Sequence, residues 1–209
     1  MSQQLFVEEL AGRHVRLEPL STSHVDGLFE ASQEDRSNYT YTEVPDTRDE
    51  VERYVHGLLA DWEAGLVVPF AQVSVEQNRV VGATRFLTLR WRGDAGLPFA
   101  VEIGGTWLAA SAQRTAINTE AKLLLMRHAF ETWHVARVDL KTDARNERSW
   151  AAILRLGCTF EGVLRQWQPS LVVGEEDLFR DSAIFSVVAS EWPTVENNLA
   201  AKTATTSKE

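Results

Sequence analysis

The sequence holds a single cysteine, Cys158, no apolar run of membrane-spanning length, and no surplus of positive charge. One thiol excludes an internal disulfide and a zinc cluster built from cysteine and histidine. Its neighbours, Leu156-Gly157-Cys158-Thr159-Phe160, are mostly apolar, so Cys158 reads as buried packing and not as a nucleophile. The five histidines show no metal-ligand spacing, no metal is expected, and His128 and His134 read as structural. The phosphate-loop lysine motif and the GxGxxG fingerprint are both missing, which argues against nucleotide hydrolysis and NAD binding. Met1 to Gly12 carries Glu8 and Glu9 and no basic stretch followed by an apolar one, so no signal peptide is expected and the protein is placed in the cytoplasm. A net charge of −9 disfavours nucleic acid and acidic membranes as partners and suits a cationic acceptor such as an amine.

What remains is the composition of a globular protein, with 209 residues, enough to bury a sizeable core in one domain. The expected organisation is one domain over 1–195 and a flexible tail over 196–209, since Ala200 to Glu209 is small and polar. Val15-Arg16-Leu17 reads as a strand, and Ser21 or Ser23 caps a helix running to about Ser32. Asp46 to Ala64 carries apolar residues at helical spacing and ends at Gly65. Val67 to Val75 and Val80 to Trp91 form a hairpin across Gln77-Asn78-Arg79. Ala100 to Ala109 is a strand, Thr119 to Trp133 a helix, and Val135 to Thr142 an alternating strand. Asn146 caps a helix that Gly157 ends, and Phe160 to Gln166 and Phe179 to Val188 are the last strands. Early hairpins followed by strand–helix units predict an α+β (mixed α/β) sandwich around one sheet.

The segment richest in chemistry runs from Val101 to Lys122. A strand leads through a polar connection, Gln113-Arg114-Thr115-Ala116-Ile117-Asn118, straight into a helix. Such a junction presents unpaired backbone N–H groups at the positive end of the helix dipole, which suits a diphosphate, and Arg114 adds a charge. Spacing alone says little more, because nearly every strand–loop–helix unit exposes such groups.

Four stretches carry a resemblance. They are Val101-Glu102-Ile103-Gly104-Gly105-Thr106-Trp107-Leu108; Asn118-Thr119-Glu120-Ala121-Lys122; Asn146-Glu147-Arg148-Ser149 through Leu156-Gly157; and Glu161-Gly162-Val163-Leu164-Arg165 with Arg180-Asp181-Ser182 and Glu191-Trp192-Pro193. In that order they resemble the GNAT N-acetyltransferases, and most of all their RimJ/RimL branch, over about residues 12–195. The resemblance implies a mixed, V-shaped sheet flanked by helices, with acetyl-CoA in the splay beside the fourth strand and the amine entering from the other side. It implies contacts to CoA from Trp107, Leu108 and Ala109, from Gln113, Arg114, Thr115, Ala116, Ile117, Asn118 and Thr119, and from Asn146.

Glu102 matches the family's general base, and strand alternation places it on one face with Gly104 and Thr106. Its other reading is a solvated or ion-paired strand carboxylate. Ile153 stands where the family often has a tyrosine acid, which leaves Ser149 as the candidate acid, or as a first-turn serine completing the cap of Asn146. Ala116 and Asn118 stand where the loop usually has small residues, glycine above all. Lys122 is expected to pair with a carboxylate, and Tyr39, Tyr41 and Trp62 lie where acceptor pockets form in such enzymes or simply pack. The expected activity is acetyl transfer from acetyl-CoA to a primary amine, of a protein N-terminus or a small molecule, in a ternary complex. Rivals are another donor such as succinyl-CoA, a CoA-binding regulator without catalysis, and a pure interaction module. The family often forms dimers, so a homodimer stays open.

Overall fold

Eight strands line up in a computed structural model that describes residues 3–93 and 96–204. They are β1 (Leu10–Ala11), β2 (Val15–Pro19), β3 (Val68–Ser74), β4 (Arg79–Arg90), β5 (Ala100–Leu108), β6 (Arg137–Asp143), β7 (Thr159–Pro169) and β8 (Phe179–Val188). The sheet order is β1-β2-β3-β4-β5-β6-β8-β7. All pairings are antiparallel except that of β5 with β6. Five α-helices join them: α1 (Val25–Ser32), α2 (Arg48–Glu63), α3 (Ala116–Arg127), α4 (Glu147–Arg155) and α5 (Trp192–Ala204). The expected mixed α+β architecture is therefore what the chain adopts. No helix among the described residues is long and apolar enough to cross a membrane.

Local chemistry explains most boundaries. Thr47 caps α2 in a reciprocal box with Glu50, and Gly65 leaves the helix at φ +70°. Asn146 caps α4 by accepting from the Ser149 N–H at 3.0 Å. Thr115 caps α3, so that helix begins at Ala116, three residues before the expected Thr119. The shift arises because Arg114 takes the left-handed turn at φ +59°, leaving Ala116 free to start the first helical turn. At its far end α3 passes into a π-helical turn over His128–Thr132, where Trp133 packs on Phe86.

The expected tail is also corrected. Residues 196–204 belong to α5, with Leu199 and Thr203 buried and the Thr203 carbonyl 3.0 Å from His14 Nε2. The remaining tail residues, 205–209, lie outside the described residues.

The core lies mainly between the sheet and its helices. α1 and α2 cover β3 and β4, while α3 lies against β1 and β2 and packs on α5. Phe70, Phe86 and Phe185 are fully buried, and each contributes about 1.5–3 kcal/mol by leaving water. Glu120 of α3 anchors the edge of the sheet by accepting the backbone N–H groups of Arg13, His14 and Val15.

Candidate active site

Strands β5 and β6 pair only from Ala100 to Glu102, against Arg137 to Asp139, and then diverge. Beyond that point β5 has a free edge, running from Ile103 to Leu108. A bulge accompanies the divergence. Gly104 faces Arg85 and Trp107 faces Ala83, so Gly105 and Thr106 together oppose the single residue Thr84. Gly105 sits at φ +56°, a conformation that favours glycine, and a Cβ there would fall 2.5 Å from Arg85 Cζ, so a larger residue would have to displace the Arg85 side chain. Gly82 admits a close approach of another kind, since its Cβ would stand 2.1 Å from the Trp107 carbonyl oxygen.

The bulge overturns one expectation. Simple alternation puts Thr106 on the face of Glu102. Instead Thr106 turns to the α3 side, where its Oγ1 lies 2.8 Å from Thr84 Oγ1 and accepts from Lys122 Nζ at 2.5 Å. Lys122 is buried and reaches these two hydroxyls, not a carboxylate, which corrects the expected ion pair. Burial pushes its pKa down to about 7, because the charged form is desolvated.

Glu102 remains on the other face, 7% exposed, beside the mouth of the divergence. Thr88 Oγ1 donates to its Oε2 at 3.1 Å, and Lys141 Nζ of β6 lies 3.4 Å from the same oxygen. A Cβ on Gly104 would come within 3.3 Å of Glu102 Oε1, so glycine keeps the space before the carboxylate open. Trp107 is buried with its ring edge toward Tyr39, whose hydroxyl donates to the Leu108 carbonyl at 2.9 Å. Gln113 Nε2 donates to the same carbonyl at 2.9 Å, and Arg148 of α4 donates to Gln113 Oε1 at 3.2 Å. Gln113 thus ties the end of β5 to the start of α4 and is spent on that contact.

At the start of α3 a cavity of about 270 Å³ is lined by Arg114, Thr115, Ala116, Thr119, Arg155 and Lys202. Three cations meet the N-terminal turn of a helix there, which gives the cavity the chemistry of a polyphosphate site. Arg155 and Lys202 carry no motif that marks them in the sequence. Lys202 falls in the segment read as a tail, and it reaches the site because α5 continues and its Nζ donates to the Arg155 carbonyl. Ala116 occupies the first helical position, where no glycine is required.

Ser149 is half-buried on the first turn of α4; its backbone N–H is capped by Asn146, and its hydroxyl makes no hydrogen bond among the described residues. Ile153 is buried and cannot donate a proton. Trp62 is committed to packing, since its Nε1 donates to the Leu5 carbonyl at 2.7 Å and its ring meets Phe6. Tyr41 lies under the Arg145 guanidinium, 5.4 Å from ring centroid to Cζ.

Residues 14–159 match the model of the acetyltransferase (GNAT) domain. The chain belongs to the GNAT acetyltransferase family. It is therefore an acyl-CoA-dependent N-acetyltransferase, of the RimJ/RimL type. Its fold is similar to that of a GCN5-related N-acetyltransferase from Brucella melitensis, with a TM-score of 0.84 and 28% identity over 97% of this chain and 88% of the other. A protein from T. thermophilus assigned as an acetyltransferase shares 32% identity over 96% of this chain and 99% of its own, with a TM-score of 0.78. Mycobacterium smegmatis RimJ, solved in complex with CoA-disulfide, shares the fold at a TM-score of 0.74, with 21% identity over 90% of this chain and 88% of its own. No curated protein matches the GNAT enzyme.

Proposed function

We propose that this enzyme moves an acetyl group from acetyl-CoA to a primary amine by direct attack within a ternary complex. The observation that carries the reading is Glu102, a buried carboxylate at the mouth of the β5–β6 divergence with open space in front of it. An amine arrives largely as ammonium near neutral pH and must lose a proton before its nitrogen attacks. Glu102 Oε1, which receives no hydrogen bond among the described residues, takes that proton directly or through one water, while Thr88 and Lys141 hold Oε2 in place.

The residues present fit acetyl-CoA. Arg114, Arg155 and Lys202, with the N–H groups of Ala116 and Asn118 in the first turn of α3, hold the diphosphate end. The free edge of β5 takes the pantetheine as an added strand. Because Tyr39 and Gln113 already occupy the Leu108 carbonyl, Gln72 donates to the Trp107 carbonyl, and the Ala109 N–H and carbonyl are bonded to Val81 and Ala112, the edge contacts fall on Thr106 and the Leu108 N–H. The Leu108 backbone N–H, on the free edge, steadies the carbonyl oxygen as it gains charge, while the Trp107 N–H faces β4. When the C–S bond breaks, the sulfur takes up a proton, and the free Ser149 hydroxyl at the start of α4 is the donor assigned here.

The test is thiol release measured across a matrix of acyl-CoA donors and amines, with wild type and Glu102→Gln. The variant keeps the shape of the side chain and removes its basicity. Acetyl-CoA should be the preferred donor. Glu102→Gln should lower kcat/KM by roughly 10²–10⁴-fold near neutral pH, leave CoA affinity intact, and recover part of the loss at higher pH as free amine accumulates. A folded Glu102→Gln enzyme with normal kcat/KM and an unchanged pH profile would contradict the assignment.

A further inference from the structure

The face of β5, β6 and β8 that carries Glu102 is a charged surface whose members are matched almost one for one. Arg90 and Arg137 both pair with Asp139, and Arg137 also holds Glu161. Arg145 pairs with Asp143 and Glu175, each at 2.8 Å, and Lys141 pairs with Glu102 at 3.4 Å. Arg180 of β8 breaks the pattern. It is 8% exposed, its Nε has no hydrogen-bond acceptor, and no carboxylate among the described residues lies within 4.0 Å of its guanidinium. Burial disfavours its charge, and Asp143, Glu102 and Arg145 influence it only through space. Two residues on, and on the same face by strand alternation, the fully buried Ser182 Oγ is likewise without a partner.

A buried guanidinium without an anion is costly, and a buried donor without an acceptor adds to that cost. The two nearby carboxylates cannot relieve it. Asp143 is committed to Arg145 and Glu102 to Lys141 and Thr88. We infer that Arg180 receives a carboxylate carried by the amine acceptor, so that one molecule places its amine at Glu102 and its anionic group at Arg180. This inference rests on the reading of Glu102 as the base, and it names the class of acceptor that the reading leaves open.

The neighbours of Arg180 favour a monoanion over a phosphate. Asp143 and Glu102 act on the position through space, and a second negative charge on the ligand would add to the repulsion from both. A carboxylate also presents two oxygens, which suits Arg180 Nε and the Ser182 hydroxyl as a pair of donors. Such a carboxylate comes either from a free amino acid or from an acidic residue beside a peptide N-terminus.

Matched acceptors separate these sources and test the inference. The pairs are β-alanine with β-alaninamide, and short peptides with aspartate or asparagine at the second position, each with saturating acetyl-CoA. Wild type, Arg180→Met and Arg180→Lys are compared, with CoA affinity and Tm measured on the same samples. Wild type should favour the carboxylate member of at least one pair by roughly 10- to 100-fold in kcat/KM, the worth of a charge-assisted hydrogen bond. Arg180→Met should erase that preference, mainly by raising KM for the carboxylate member, and Arg180→Lys should restore part of it. A preference confined to the first pair assigns a free amino acid, and one confined to the second assigns a peptide. Equal use of neutral and acidic members by wild type overturns the inference, as does an equal loss for all amines in a folded Arg180→Met enzyme. Turnover of none of the carboxylate amines with CoA binding intact overturns it too, and spares the reading of the cleft. Absence of CoA binding overturns both.

Discussion

The two halves of this sheet use the same strand geometry for opposite ends. In the first half, β3 is buried along its whole length, and α1 and α2 close over β3 and β4. In the second half, β6 alternates: Val138 and Leu140 enter the core, while Arg137, Asp139 and Lys141 face a charged surface with Glu102 and Arg180. The dividing line is β5, where the bulge at Gly105 and the loss of pairing with β6 fall together. The first half makes the domain stable, and the second presents polar groups that a packed core could not satisfy.

That contrast is breakable from either side. Phe70 belongs wholly to the packed half, with its ring on Phe86 at 6.1 Å. Phe70→Ala should cost about 3–5 kcal/mol of stability, read by urea unfolding, with kcat/KM of the folded enzyme within about twofold, less than roughly 0.4 kcal/mol of barrier. A folded Phe70→Ala enzyme that loses activity in step with its stability would show that the halves are coupled. Ala116 belongs to the other half, buried at the first turn of α3 on the wall of the cationic cavity. Ala116→Asp adds bulk and like charge there and should weaken CoA at least tenfold, about 1.4 kcal/mol by calorimetry; unchanged affinity in a folded variant would remove the diphosphate from this site.

At the seam itself the expected effect is a dependence on pH. Lys122 has a pKa pushed down to about 7 by burial, against an ordinary value of 10.5. The unfolded chain therefore binds more protons between those two values, and stability rises with pH across that window. Below pH 7 the buried charge is a full penalty. Relative to Lys122→Met, the wild type should gain Tm as pH rises from about 7 to 10. A difference that stays flat with pH would show that Lys122 keeps its proton through solvent or an anion.

Much of this was legible in the sequence, because it rests on local rules. Helical spacing set α2, alternation set β6, and Asn146 with Gly157 bracketed α4. Glu102 stands out in the sequence only through its motif, and the structure adds the partners that hold it. The misses share a cause, which is that each depends on contacts distant in sequence. The bulge at Gly105 reverses the face of Thr106, and that in turn gives Lys122 two hydroxyls in place of a carboxylate. α5 is weakly amphipathic and reads as a tail until Leu199 is seen in the core and Lys202 at the cavity. Arg180 stands in a stretch that carries the resemblance but has no role there, and its lack of a partner shows only when its neighbours prove to be paired with others.

Amide hydrogen exchange with and without acetyl-CoA tests the division between the halves most directly. If the free edge of β5 and the first turn of α3 hold the donor, added protection should appear at Gly105 to Ala109 and at Ala116 to Thr119, with none in Val68 to Ser74. Protection spread evenly over the sheet, or absent from β5 and α3 while acetyl-CoA is bound, would contradict the account.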